Sequence, residues 1–396
     1  MPNNTNPSLS ICCAFDAGAI EVVSLADPAD IQLKIRADNA AEFAQWFHFR
    51  LQGAAGVPIV LRFLNAGQSA YPKGWEGYRV LASHDRRQWQ RIATEFDGQV
   101  LTARLTPATN SVYLAYFEPY SHERHLDLLG WAGASDRVQS RHLGATLDGR
   151  DITLLRVTTA SGTGAKNKVW VIARQHPGET MAEWFVEGLL ERLLDEADPV
   201  ARRLLAQCEF YVVPNMNPDG AVRGNLRTNA AGANLNREWA APSLERSPEV
   251  FLVRDAMQRI GVDLCLDVHG DESLPYNFVA GSQGIAGYTP RLAALEAAFT
   301  SAWLAASPDF QTAHGYGEAA PGTANPTMAT NWVSQRFDCL ALTIEMPFKD
   351  NADLPNERTG WSGARSKLLG ASVLQPVLEV AKQLRQPQPA TDPDPV

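Results

Sequence analysis

Long apolar runs are missing from this sequence. No window of about eighteen uncharged apolar residues occurs, so no membrane-spanning helix is expected. The opening residues Met1-Pro2-Asn3-Asn4-Thr5-Asn6-Pro7 offer neither a basic region nor an apolar stretch, which argues against a secretory signal. Cysteine is scarce. The chain has five in 396 residues (Cys12, Cys13, Cys208, Cys265, Cys339) and no CxxC pair. An odd, scattered set is neither a disulfide framework nor a thiolate zinc site, and it points to a reducing cytoplasm. Excess positive charge is absent too. Lys and Arg total 35 against 44 Asp and Glu, a net charge of -9. Nucleic acid is therefore not an expected partner. Charged residues make up 20% of the chain and hydrophobic ones 45%, which excludes bulk disorder and leaves enough apolar material for a sizeable core. Several catalytic signatures are absent as well: no GxxxxGK(S/T) loop, no GxGxxG after a strand, no GxSxG elbow, no HExxH helix. Nothing in the sequence speaks to oligomeric state.

What is present falls into two textures, and the length itself suggests two domains. Up to about residue 120 the pattern is short, alternating and aromatic-rich, as in Ala44 to Leu51, Pro58 to Leu64 and Ser111 to Phe117. Turn residues such as Asn65-Ala66-Gly67 and Asp97-Gly98 punctuate it, which predicts an antiparallel β-sandwich over residues 1–122. From Val169 onward, continuous apolar strands alternate with helical patterns. Phe210 to Val213, Leu264 to Val268 and Leu340 to Ile344 read as buried strands, and Thr180 to Ala197 as a helix. That alternation predicts an α/β domain over 123–385 with an internal sheet flanked by helices. Cys208, Cys265 and Cys339 lie in the apolar runs and read as core. The Pro- and Asp-rich tail, 386–396, is expected to be disordered.

Four stretches of the second half carry candidate chemistry. In Arg174-Gln175-His176-Pro177-Gly178-Glu179 a buried strand ends in a polar loop. Pro177 suits the first position of a helix, with Glu179 in its first turn. His176 and Glu179 are both ordinary zinc ligands and can reach one cation. The same residues also fit a capping carboxylate beside an unrelated histidine. His269, in Asp267-Val268-His269-Gly270-Asp271, again sits where a buried strand runs out, the usual place for ligand sites in an open α/β sheet. Two histidines and a glutamate would leave a fourth zinc position open. Glu345, in Thr343-Ile344-Glu345-Met346-Pro347, is embedded in an apolar strand. Unless it lies on an exposed face it must meet a cavity, a cation or a hydrogen-bond partner. A glutamate so placed is a natural general base. The fourth stretch, Pro214 to Arg237, is rich in Asn and Gly and carries Arg227 and Arg237, whose planar forks suit a carboxylate or a developing oxyanion.

Taken in order, these stretches resemble the zinc metallocarboxypeptidases. The pattern is HxxE, an NPDG loop, RxN and NR, a distant His, then a Glu on a late strand. Here it reads His176 to Glu179, Asn217-Pro218-Asp219-Gly220, Arg227-Thr228-Asn229, Asn236-Arg237, His269 and Glu345. Phe15 to Gly18, Gln45 to Phe49, Phe117 to Ser121 and Thr343 to Phe348 are similar to the cytosolic carboxypeptidase subfamily in a compact, bacterial form. The resemblance implies a carboxypeptidase-like fold with a central mixed sheet and one zinc ion per chain, held by His176, Glu179 and His269. It further implies that Glu345 acts as the general base toward a zinc-activated water, that Arg227 polarises the scissile carbonyl, and that Asn236 and Arg237 clamp the terminal carboxylate. Peptide or protein C-termini are then the substrates. Acidic ones are the natural guess, with Arg336 as a candidate basic residue for the pocket, although the negative net charge would repel long acidic tails at low salt. Asn234 stands where the family usually has Asp. Tyr288 and Tyr316 are the nearby candidates for a tyrosine over the substrate, with no motif to choose between them, and the segment from His314 to Met328 is expected to overhang the cleft. The alternatives are a deacylase of N-acyl amino acids and a non-catalytic binding module. The paired Asn236-Arg237 disfavours the first, and the intact ligand set disfavours the second.

Overall fold

The computed structural model describes residues 9–159, 165–317 and 319–384; the expected disordered tail, 386–396, lies outside them. The N-terminal domain is two five-stranded sheets packed face to face. One runs Ser10–Cys12, His48–Gln52, Ser111–Ala115, Leu81–Ser83 and Gln90–Arg91 in spatial order. The other runs Glu21–Ser24, Ile31–Lys34, Ile59–Phe63, Leu101–Leu105 and Ala93–Phe96. Period-two alternation sends Phe47, Phe49 and Leu51 inward from the first sheet and Ile59, Leu61 and Phe63 from the second. The rings of Phe47 and Phe63 meet at 4.6 Å across the interface. One pairing departs from the wholly antiparallel expectation: Ile31–Lys34 runs parallel to Ile59–Phe63. Between these strands the chain crosses to the opposite sheet through His48–Gln52, so it returns in the direction in which it left.

The second domain is built on a mixed seven-stranded sheet. Its four central strands, Cys208–Val213, Asn167–Ala173, Leu264–Val268 and Leu340–Glu345, are parallel. Val138–Ala145 and Asp151–Val157 extend one edge and Phe278–Ala280 the other, all antiparallel. Both faces are covered, which is why the central strands read as unbroken apolar runs. Val169, Val171, Leu266 and Leu342 pack with the helices Met181–Leu193, Pro290–Ala306, Gly363–Ser372 and Leu374–Ala381. Trp170, Ile172, Cys265 and Ala341 pack on the other face with Pro248–Ile260 and Ala329–Phe337. Two glycines set the spacing of one helix pair. A Cβ at Gly188 would collide with the Lys367 carbonyl, and one at Gly370 with the Phe185 carbonyl. Met181–Leu193 and Gly363–Ser372 therefore approach backbone to backbone.

The two domains are joined by buried contacts. Tyr116 stacks on Phe348 at 4.5 Å. The buried Arg91 donates to the backbone carbonyls of Phe348, Lys349 and Trp361. Among the described residues no helix is long and apolar enough to cross a membrane.

Candidate active site

Three of the four parallel strands deliver chemistry at their carboxyl ends. The strand Asn167–Ala173 leads into a loop that begins with Arg174 at φ 59°, a left-handed conformation rare for a side chain of this size. Burial of its guanidinium holds it there. Arg174 donates to Pro177 O (2.9 Å), Tyr120 O (2.9 Å) and Glu183 Oε2 (2.7 Å), and His125 Nδ1 lies 2.6 Å from the other oxygen of Glu183. The helix begins only at Met181. Pro177 and Glu179 therefore belong to a tight turn before it, closed by Glu179 N donating to His176 O at 3.1 Å. This corrects the expectation that Pro177 opens the helix, and it has a physical reason: only a turn folds the Glu179 carboxylate back onto the His176 ring.

The turn brings the ligand candidates together. His176 Nδ1 lies 2.6 Å from Glu179 Oε1, and His269 Nδ1 lies 2.8 Å from Glu179 Oε2. One donor atom from each residue falls within 4.8 Å of the others, and all three residues are buried. The outer ring nitrogens are occupied by acceptors: His176 Nε2 is 3.1 Å from Asn234 Oδ1, and His269 Nε2 is 3.0 Å from Asp267 Oδ2. Each acceptor fixes the proton on Nε2 and turns the Nδ1 lone pair inward, the arrangement a metal-binding imidazole needs. Asp267 is itself held by Gln175 Nε2, and Gln175 by Trp239 Nε1. The electrostatics ask for a cation at the centre. Burial, then the nearby Arg227, pushes His176 down to about 4, so the ring is neutral. Burial alone would raise Glu179, yet the two imidazoles hold it well below the usual carboxylate range. At His269 burial is outweighed by Asp267 and Glu179, which draw positive charge to the ring. Two neutralisable imidazoles and an ionised carboxylate are a zinc donor set, and the residues fit one ion.

Glu345 ends its strand beside this cluster. Oε1 accepts from the Tyr316 hydroxyl at 3.2 Å, while Oε2 is buried without a partner among the described residues. Burial, with Glu179, Asp271 and Glu272 nearby, pushes Glu345 well above the usual carboxylate range even against the pull of His269. Arg227 sits over the rings of Phe43 and Tyr71, 5.6 and 5.5 Å from their centroids. Asn236 Oδ1 accepts from Ala329 N at 2.9 Å, which leaves its amide NH₂ for another partner. Arg237 follows in the 3₁₀ turn Leu235–Arg237 and donates to Asn236 O.

All seven candidate residues line one cavity of about 250 Å³ with Tyr71, Asp271, Glu272, Ser273, Ala280, Gly281, Tyr316, Met328, Asn331, Thr330 and Thr343. Of the two candidate tyrosines, Tyr316 reaches the cleft, its hydroxyl 2.7 Å from Asp271 Oδ2. Tyr288 instead donates to Glu296 and does not line the cavity. Arg336 does not line it either; its guanidinium lies over the Phe337 ring at the end of its helix. The NPDG motif is a brace. Asp219 accepts from Thr146 Oγ1, Asp148 N and Arg150, and a Cβ at Gly220 would strike the Thr228 carbonyl. Sequence reasoning missed Tyr71 and Glu272. Glu272 had a signal, three residues past His269; Tyr71, in the other domain, had none.

A buried His/Glu/His cluster at the carboxyl ends of parallel strands, faced by a carboxylate and two arginines, defines a metal-dependent hydrolase. The chain belongs to the zinc carboxypeptidase family, which it matches over residues 130–360, and residues 11–117 match the cytosolic carboxypeptidase N-terminal domain. It is a metallocarboxypeptidase whose family cofactor is zinc. It is 47% identical over 377 residues to an uncharacterised protein of Zymomonas mobilis, covering 95% of this chain and 98% of that one. Human cytosolic carboxypeptidase 4 is 27% identical over 330 residues, which is 71% of this chain but 30% of the human protein. The chain thus spans under a third of that relative's length. The solved metallo-carboxypeptidase from Pseudomonas aeruginosa, in complex with (2-guanidinoethylmercapto)succinic acid, superposes with a TM-score of 0.93 at 50% identity, covering 95% of this chain and all (100%) of that one.

Proposed function

We propose that this metallocarboxypeptidase removes single residues from the free C-termini of peptides or proteins in the cytoplasm, with each motif residue in its own role. One observation carries the reading: the donor set, a carboxylate oxygen with no partner among the described residues and the Asn236-Arg237 pair share one cavity of about 250 Å³. His176, Glu179 and His269 hold zinc, which supplies Lewis acidity toward water and a carbonyl. Oε2 of Glu345 takes the proton from the attacking water and later passes it to the leaving amine. Its raised affinity for a proton suits a group that must carry one between two steps. The Arg227 guanidinium donates to the carbonyl oxygen as negative charge gathers there. Arg237 pairs with the terminal carboxylate and Asn236 donates to it, which fixes the register to the last residue.

Acidic C-terminal residues are the proposed preference, by likeness to the cytosolic carboxypeptidases. The cations in the lining, Arg227 and Arg237, are engaged by the scissile carbonyl and the terminal carboxylate, so an acidic side chain would be favoured by their field and not by an ion pair of its own. A second reading, removal of neutral residues, is favoured by the uncharged wall that Thr330, Thr343, Ala280 and Gly281 make, with the two threonine hydroxyls 2.6 Å apart.

A mass-spectrometric digest of free-acid peptides varied at the last residue, run with zinc and with a chelator, tests both. Stepwise, chelator-sensitive loss from the C-terminus is expected, and none from amidated peptides. Glu or Asp leaving fastest supports the acidic preference; Ser, Thr or Ala leaving fastest supports the neutral one. No loss with zinc confirmed bound would overturn the peptidase reading in favour of N-acyl amino acid deacylation.

A further inference from the structure

Arg227 is a cation with no carboxylate in direct contact: Glu272, Glu179 and Glu345 act on it only from across the cavity. Among the described residues it forms no ion pair, and its guanidinium is steadied by the faces of Phe43 and Tyr71, both from the N-terminal domain. Contacts to ring faces are permissive in direction. The location of the charge is therefore set chiefly by where the backbone of residue 227 is held, and that backbone is held from the other domain. The buried Asp38 carboxylate receives four hydrogen bonds from the loop: Leu226 N at 2.6 Å, Arg227 N at 2.8 Å, Thr228 N at 2.9 Å and Thr228 Oγ1 at 3.0 Å. Its neighbour extends the grip, with Asn39 Nδ2 donating to Ala230 O and Asn225 Nδ2 to Asn39 Oδ1. Three consecutive amides converging on one carboxylate form an anion nest whose anion belongs to the partner domain.

We propose that Asp38 is a positioning residue for Arg227, so that the N-terminal domain completes the active site instead of merely flanking it. Asp38 touches no substrate. It acts by fixing the loop that aims the guanidinium, and an error of an ångström there is enough to lower turnover by ~10–100-fold. The inference rests on the role given to Arg227 above.

The test is a double-mutant cycle of Asp38→Asn and Arg227→Ala in the full chain. It is assayed with the free-acid peptide cleaved fastest in the library digest, alongside zinc content and hydrogen exchange of the 226–228 amides. Asp38→Asn keeps the size but turns a donor toward amides that need an acceptor. The expected result is unchanged zinc content, faster exchange at 226–228, and a ~10–100-fold lower kcat with a smaller change in KM. In the Arg227→Ala background the same substitution should change kcat by less than about twofold, because the group being aimed is gone. Wild-type kcat for Asp38→Asn, or an equal loss in both backgrounds, overturns the proposal. Should Asp38→Asn fail to fold, Thr228→Val, which deletes one donor to the same carboxylate, is read in the same cycle, and additivity there overturns it equally. Full kcat for Arg227→Ala would remove the role of Arg227 and this inference with it. A loss for Arg227→Ala without one for Asp38→Asn would remove this inference alone.

Discussion

Oε2 of Glu345 is buried in the cleft and has no partner among the described residues, while Oε1 already accepts from Tyr316. A base needs such an open oxygen. Glu345→Gln replaces it by a donor of nearly the same shape, so zinc should stay bound while kcat falls by ~10²–10⁴. Steady-state kinetics with metal analysis measures both, and an unchanged kcat would remove the base from this residue. Asn234 makes a subtler case. Its Oδ1 faces His176 Nε2 with a neutral amide where the family usually has a carboxylate. Removing it frees the ring to rotate, so Asn234→Ala should weaken zinc binding by ~10–100-fold in a chelator competition, with His176 itself intact. Unchanged affinity would mean that the ring is oriented by something else. All seven candidate residues could be read from the sequence because each lies in a motif whose spacing carries meaning. Asp38, Phe43 and Tyr71 could not: they sit in loops of the first domain, and no local pattern marks a residue whose partner is 156 to 190 positions away.

The turn between Ala173 and Met181 shows where reading by element stops. Strand and helix were both apparent from their periodicity, but Pro177 suggested that the helix started four residues early. The real entry is decided by a buried ion pair that no periodicity reveals. Arg174, at positive φ, fastens the Pro177 carbonyl and pairs with Glu183, which in turn meets His125 and Asn215. Arg174→Leu would strip the fully buried Glu183 of its guanidinium, leaving it only His125 and Asn215, and would untie the turn. A loss of roughly 3–5 kcal/mol is expected in urea unfolding, with zinc affinity falling alongside because His176 and Glu179 ride on the same turn. A double variant, Arg174→Leu with Glu183→Leu, should recover part of the stability without the affinity, since it removes the stranded charge but not the slackness. The parallel pair of strands in the first domain escaped prediction for a related reason: pairing direction depends on which sheet the chain visits between them, and side-chain alternation is blind to that.

For the molecule as a whole, stability should depend on pH through at least one carboxylate that does not line the cavity. Burial, against opposing bonds from its own backbone and Asn229, pushes Glu249 from 4.5 up to about 7. The folded chain therefore holds this proton more tightly than the unfolded one. The cost of ionising it is absent below pH 4.5, grows between 4.5 and about 7, and is full above that. Glu249→Gln keeps an acceptor for Asn229 and abolishes the cost. Thermal unfolding should show the variant stabilised at pH 8 by up to about 3 kcal/mol and little changed near pH 5. Equal shifts at both pH values would rule out the titration as the cause.

The docking of Arg91 has a consequence for the order in which the chain is made. Its carbonyl acceptors in the second domain, from Phe348 to Trp361, come 257 to 270 residues later. On a ribosome the first domain is exposed, with this guanidinium bonded only to Arg79 O of its own domain, until almost all of the second has emerged. The seam between the domains is therefore among the last parts of the molecule to close, and a nascent chain stopped short of Phe348 would lack the surface that its finished first half is shaped to receive.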